Sequence, residues 1–271
     1  MEYLKSIILG IIQGITEWLP VSSTGHLLLA DEFFHLGGTK DFVDLFMVVI
    51  QLGSILAVLT LYFNKLNPFS NKKTQEERND TWKMWLKVLV AAIPAGLIGL
   101  LFDDIIDTFL YKWYVVAATL IIYGIIFIML ENRKKPSKIE SIDTLSYKTA
   151  LLIGCFQILA LIPGTSRSGS TILGAVFLGS SRLVAAEFSF FLAIPMMFGA
   201  SGLKLAKFLL LSDISGTNWG VLIAGTIVAY LVSIFAIKFL MNYIKNHDFK
   251  VFGWYRIILG IIVIITFLFK F

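Results

Sequence analysis

Two short polar stretches interrupt an otherwise apolar chain. The first reads Gln13-Gly-Ile-Thr-Glu17-Trp-Leu-Pro20-Val-Ser22-Ser23-Thr24-Gly25-His26. The second, a weaker echo, runs from Gln157 to Gly169 and holds Gly164, Thr165, Ser166, Arg167 and Ser168. At membrane depth ionisable side chains are expensive and usually functional. Glu17 and Arg167 alone would cost roughly 5 to 7 kcal/mol before any pairing, comparable with the net stability of many proteins.

These residue types suit phosphate chemistry. Gln13 and Glu17 are spaced i, i+4, which puts both side chains on one helix face. Ser22, Ser23 or Thr24 is placed to cap the helix that follows, and Thr165, Ser166 or Ser168 to cap its counterpart. Helix starts leave free amide donors and a positive dipole end, an anion site in themselves. Arg167 adds a planar, permanently charged donor pair that matches phosphate oxygens, and Gly164 and Gly169 let backbone amides come close.

Ser23 and His26 with Glu17 supply a nucleophile, a proton carrier and a carboxylate. Serines in such a run are often caps, so attack by a water that Glu17 or a metal activates is the rival reading. A divalent cation, Mg²⁺ or Ca²⁺, is expected to join Glu17 to the phosphates, with water and substrate filling most of its shell. Arg167 paired with Glu17 or Glu187 only to hold helices together is the bland alternative, and for Glu187 and Asp44 a structural role is preferred. His35 and His247 read as surface residues.

The composition says where this chemistry must sit. Of 271 residues 57% are hydrophobic and only 15% charged, the mean hydropathy is +0.82, and apolar runs reach spanning length. The net charge of +5 fits the basic bias of cytoplasmic loops rather than nucleic-acid binding, for which no basic stripe with interleaved aromatics exists. Cys155 is the single cysteine, so no intrachain disulfide or cysteine metal cluster can form. No cleavage site follows the N-terminal apolar run, which is therefore read as part of the fold.

Six spans are predicted near 42–63, 84–101, 113–130, 183–208, 218–241 and 252–270. Pro94 and Pro195 lie inside two of them and read as kinks. Residues 64–83 and 131–148, rich in Lys and Arg, are assigned to the cytoplasm, as is 242–252. The acidic 102–112, with Asp103, Asp104 and Asp107, and 209–217 are assigned outside. Lys204 and Lys207 go against that rule.

The two polar stretches hinge short apolar arms, about 4–19 and 27–36 in the first copy, each too short to span. A single span kinked at Pro20 is one reading. A re-entrant helix pair lining a cavity is preferred. The fold class is then an all-α polytopic membrane protein with an inverted repeat, each half a re-entrant helix pair plus three transmembrane helices. The chain 1–271 forms one membrane domain, with halves 1–131 and 148–271 and a cytoplasmic linker 132–147. In this register Ser23 corresponds to Ser166 and Thr24 to Arg167.

The stretch from Gln13 through Glu17 to His26, Pro163-Gly-Thr-Ser-Arg-Ser-Gly169, Glu187 to Pro195 and Ile50 to Ser54 together resemble the bacterial undecaprenyl-diphosphate phosphatase family associated with bacitracin resistance. The likeness covers essentially the full length. It implies a hydrolase of the cytoplasmic membrane, its site facing outward, that converts undecaprenyl diphosphate to undecaprenyl phosphate and recycles the carrier for peptidoglycan synthesis. By motif position the catalytic set falls on Glu17, Ser23, His26 and Arg167. Gln13, Ser22, Thr24, Gly164, Thr165, Ser166, Ser168 and Gly169 bind substrate, and Glu17 binds the metal. Many members of that family have a second glutamate at the position of Gln13, so the resemblance leaves a two-carboxylate metal site open here. The partners implied are a prenyl diphosphate lipid and membrane lipids, not nucleic acid, and a homodimer is compatible with them. A lipid flippase or secondary transporter is the rival class, because broken helices at the midplane also serve transport.

Overall fold

The computed structural model describes residues 1–133, 136–211 and 218–269, without the side chains of residues 103, 104, 107 and 211. The helices are α1 (Glu2–Thr16), α2 (Ser23–Phe33), α3 (Lys40–Leu61), α4 (Phe63–Leu66), α5 (Gln75–Leu110), α6 (Trp113–Asn132), α7 (Tyr147–Ile158), α8 (Arg167–Phe177), α9 (Arg182–Leu211), α10 (Trp219–Tyr243) and α11 (Lys250–Leu268). A 3₁₀ turn, Leu159–Leu161, follows α7. Among the described residues there is no strand, only an isolated bridge from Ile139 to Ser180.

The described residues are all-helical in class, and six of their helices are long and apolar enough to cross a membrane: α3, α5, α6, α9, α10 and α11. Each of the six predicted spans falls on one of them. Large apolar side chains such as Ile223 and Phe235 on α10 and Ile122 and Met129 on α6 remain exposed, as a lipid-facing surface requires. α5 and α9 run unbroken through Pro94 and Pro195.

The predicted loops differ in two places. The acidic 102–112 is mostly helix, because α5 continues to Leu110; residues 102–110 contain neither Gly nor Pro to stop it. The basic stretch 64–83 is also partly helical. α4 occupies its start, and α5 begins at Gln75 behind a capping box in which Thr74 and Glu77 each bond the other's backbone amide. Lys134 and Lys135, assigned to the cytoplasmic linker, and residues 212–217, assigned outside, lie outside the described residues. Lys204 and Lys207 are exposed on α9.

α1, α2, α7 and α8 have 15, 11, 12 and 11 residues, short of the roughly 20 a span needs. Residues 17–22 break the first polar stretch into two helices rather than kinking one. α1 packs on α10 and α7 on α5, and both contacts need a glycine. A Cβ on Gly10 would stand 2.6 Å from the Gly225 carbonyl oxygen, and one on Gly154 would stand 2.1 Å from that of Ala91. α6 lies along α11, and α3 along α9 and α10. The core between them holds Trp18, Phe188, Phe190 and Phe191, all buried.

Candidate active site

Both polar breaks turn on the same local device. Ser22 and Ser166 each adopt a φ of 74°, the left-handed conformation that a residue with a Cβ rarely takes. Each then caps the helix behind it: Ser22 Oγ accepts from the Gly25 amide at 3.3 Å, and Ser166 Oγ from the Gly169 amide at 3.1 Å. Helices α2 and α8 therefore start in the same way. This corrects the predicted register by one residue. Ser22, not Ser23, matches Ser166, so Ser23 and Arg167 occupy the same first position of their helices, and Thr24 matches Ser168.

That position aims Ser23 and Arg167 at one carboxylate. Arg167 Nη2 donates to Glu17 Oε1 at 2.9 Å, Gln13 Nε2 donates to Oε2 at 2.9 Å, and Ser23 Oγ donates to Oε2 at 3.2 Å. Gln13 and Glu17 do share a face, as their spacing predicted. Arg167 Nη1 is held by the Ser189 carbonyl at 2.9 Å, and the guanidinium lies 5.5 Å over the Trp18 ring. Trp18 packs edge-on against Phe190. The charged pair therefore sits on an aromatic floor, where hydrogen bonds are stronger than in water.

The remaining predicted residues frame this cluster. Ser168 Oγ donates to the Glu17 carbonyl at 3.1 Å, which ties the second break to the first. Gly164 has a φ of 87°, and a Cβ there would meet Thr119 Oγ1 at 2.2 Å. Thr24 is half-buried in the first turn of α2 and Thr165 is buried in the second break; neither belongs to the set bonded to Glu17.

His26 turns away from Ser23. Its Nδ1 lies 2.7 Å from the Ser22 carbonyl oxygen, an acceptor only, so that nitrogen carries a proton. Nε2 faces the Tyr255 hydroxyl at 2.7 Å, the two rings stacked at 5.6 Å. The structure thus divides the predicted trio into a Ser23–Glu17 contact and a His26–Tyr255 contact.

Glu187 pairs with Lys65 at 2.7 Å instead of Arg167, which fits a structural role. Asp44 is exposed on α3, so a helix-clamping role is not what its environment offers. His35 and His247 lie at the surface as predicted, beside Asp31 and Tyr243 respectively.

Sequence reasoning missed Arg256 and Tyr255. Arg256 is fully buried. It donates to the Pro20 carbonyl at 3.3 Å and the Gly164 carbonyl at 2.9 Å, one from each break, and its guanidinium faces the Tyr123 ring at 5.7 Å. The signal was present: a lone arginine inside an apolar span asks for the same explanation as Glu17.

A hard cation takes oxygen donors and retains water readily. Glu17, Ser23 Oγ and Gln13 Oε1 are such donors, and Gln13 Oε1 is buried without a partner among the described residues. No group of three or more His, Cys, Asp or Glu side chains occurs among them. The set therefore suits an ion that takes one carboxylate and completes its shell from water and phosphate oxygens.

Over its whole length the chain is similar to known proteins. The undecaprenyl-diphosphatase of Enterococcus faecalis is 60% identical over 269 residues, 98% of each chain. That of Limosilactobacillus fermentum is 58% identical over 270 residues, again 98% of each. That of Acetivibrio thermocellus is 59% identical over 271 residues, 99% of this chain and 98% of its own. A family model described as bacitracin resistance protein BacA matches residues 6–262, and the chain belongs to that family.

Proposed function

We propose that the protein hydrolyses undecaprenyl diphosphate to undecaprenyl phosphate and phosphate, recycling the lipid carrier for peptidoglycan synthesis and so conferring resistance to bacitracin. The observation that carries this reading is the carboxylate of Glu17, bonded at once to Arg167 and Ser23. An incoming diphosphate competes for the same guanidinium. Arg167 exchanges Glu17 for the terminal phosphate, and the first amides of α2 and α8 receive its other oxygens.

The released carboxylate then accepts a proton from Ser23 Oγ, or from a water in its place, as that oxygen attacks phosphorus. The P–O bond to the prenyl phosphate breaks, and Arg167 with the helix amides stabilises the charge that develops. If Ser23 attacks, a water later displaces it and phosphate leaves. His26, with one ring nitrogen held by Ser22 and the other by Tyr255, manages protons at the edge of the site. A divalent cation held by Glu17, Gln13 and Ser23 would polarise the phosphate oxygens.

We read the two halves as an inverted repeat, which supports one pocket fed by two hairpins. The same interval along the chain separates Gly10 from Gly154, Gln13 from Gln157, Ser22 from Ser166 and Gly25 from Gly169, and packing of α1 on α10 is mirrored by α7 on α5. Three spans per half give the halves opposite orientations. We read α1–α2 and α7–α8 as re-entrant pairs. With the basic stretches in the cytoplasm, the site opens to the outer face of the cytoplasmic membrane.

The test is phosphate release from a prenyl diphosphate by the purified protein in detergent. Release that disappears in Glu17→Ala and Arg167→Ala supports the hydrolase and excludes transport alone. No release under any divalent-metal condition overturns it.

A further inference from the structure

A cavity of about 790 Å³ opens where the ends of α6, α8 and α10 meet the start of α9 and residues 136–140. None of its lining residues bonds the cluster around Glu17. Its walls carry Arg133, Lys138, Arg182 and Lys245 against Glu131 and Glu140. Glu131 is already neutralised, accepting from Arg182 at 3.0 and 2.5 Å and from the Phe249 amide at 3.2 Å. Glu140 accepts from the Ser137 hydroxyl. Among the described lining residues, Arg133, Lys138 and Lys245 are left facing Glu140.

Two further features point to an anion. Ser180, in the cavity wall, is only 2% exposed, and its hydroxyl has no partner among the described residues. A buried donor without an acceptor is costly and calls for a partner in the cavity. The adjoining helix α9 begins at Arg182 with Ser181 as its cap, whose Oγ takes the Val184 amide at 3.4 Å, so the first amides of a 30-residue helix start at the same wall. The rim is apolar. Phe177 is 55% exposed with Arg133 5.5 Å from its ring.

We propose that this cavity is a second phosphate site, distinct from the Glu17 cluster, that takes the phosphate of an anionic phospholipid headgroup. The Ser180 hydroxyl and the start of α9 donate to the phosphate oxygens, Arg133, Lys138 and Lys245 supply the counter-charge, and Phe177 with Leu183 meets the lipid's apolar part. Inorganic phosphate shares the headgroup's chemistry but not its chains. The proposal does not rest on the hydrolase reading.

Native mass spectrometry of the full chain, released from nanodiscs of mixed phosphatidylglycerol and phosphatidylcholine, reads lipid retention. A parallel arm adds inorganic phosphate alone. Phosphatidylglycerol is expected to be retained preferentially, the preference falling roughly thirtyfold in Lys138→Gln/Lys245→Gln and about tenfold in Ser180→Ala. Hydrolytic activity is expected to persist in both variants. If inorganic phosphate binds and is lost in the same variants, the anion site stands with a soluble occupant. Equal retention of the two lipids with no phosphate binding, or a preference unchanged in both variants, overturns the proposal.

Discussion

Arg167 Nη2 stands 2.9 Å from Glu17 Oε1 although 150 residues separate them in the chain. Each polar break contributes one charge, and neither break holds a compensated pair alone. The pair is largely buried, with side-chain exposures of 16% for Arg167 and 9% for Glu17. Removing one partner therefore strands the other, whereas removing both does not.

Glu17→Gln and Arg167→Met are each expected to lower activity by roughly 10² to 10⁴-fold, the range for a lost acid–base or transition-state charge. Each is also expected to lower thermal stability, while the double variant recovers part of it. Melting in detergent alongside phosphate release checks this. Additive losses of stability would show that the contact is incidental.

Ser22 and Ser23 are adjacent and do different work. Ser22→Ala removes a helix cap and should cost about 1 kcal/mol, whereas Ser22→Gly, suited to a φ of 74°, should cost only a few tenths. Ser23→Ala should leave melting close to wild type and lower kcat roughly 100-fold or more. Acid quenching during turnover of a substrate labelled in its terminal phosphate then separates the two attack modes. Label on Ser23 marks covalent attack, and no label with inversion of configuration at phosphorus marks direct attack by water.

Gly164→Ala meets two obstacles together, a φ of 87° and a Cβ contact of 2.2 Å with Thr119 Oγ1. The variant is expected to lose about 2 kcal/mol or more of stability. Thermal unfolding within 1 °C of wild type would contradict the geometry.

Arg256→Met leaves the Pro20 and Gly164 carbonyls without a donor that presently joins them. Each buried carbonyl left unsatisfied costs about 1 to 3 kcal/mol. Activity is expected to fall with stability because both breaks relax together. Arg256→Lys, with a single ammonium in place of a fork, should rescue only part. Full recovery by lysine would mean that charge, not the two-carbonyl clamp, is what matters.

Chelation should abolish hydrolysis reversibly, with activity returning on Mg²⁺ or Ca²⁺ addition. Gln13→Leu, which removes the orphaned oxygen, should raise the metal concentration needed for half activity several-fold. A metal response identical to wild type would remove Gln13 from the ion's shell.

The six spans and the two polar breaks were legible in the sequence, because twenty-residue apolar runs and lone charges within them obey local rules that need no partner to be known. The Gln13–Glu17 pairing followed for the same reason, from helix periodicity. The register between the two breaks was not legible. The prolines, Pro20 and Pro163, shift by one between the copies and mislead the alignment, whereas the shared backbone conformation of Ser22 and Ser166 shows that Ser23 and Arg167 are equivalent. The helical run of α5 through the acidic 102–110 was hidden because charge was read as a loop signal when no helix breaker was present.

By itself the sequence determined that this is a helical membrane protein with two polar breaks rich in phosphate-binding residue types. Only the tertiary structure decided that Arg167 and Ser23 converge on Glu17, that His26 turns to Tyr255, and that Arg256 clamps the carbonyls of both breaks. Apart from the local Ser23–Glu17 contact, they join residues far apart in the chain. Their geometry follows from how α1 packs on α10 and α7 on α5, which no local pattern of residues encodes.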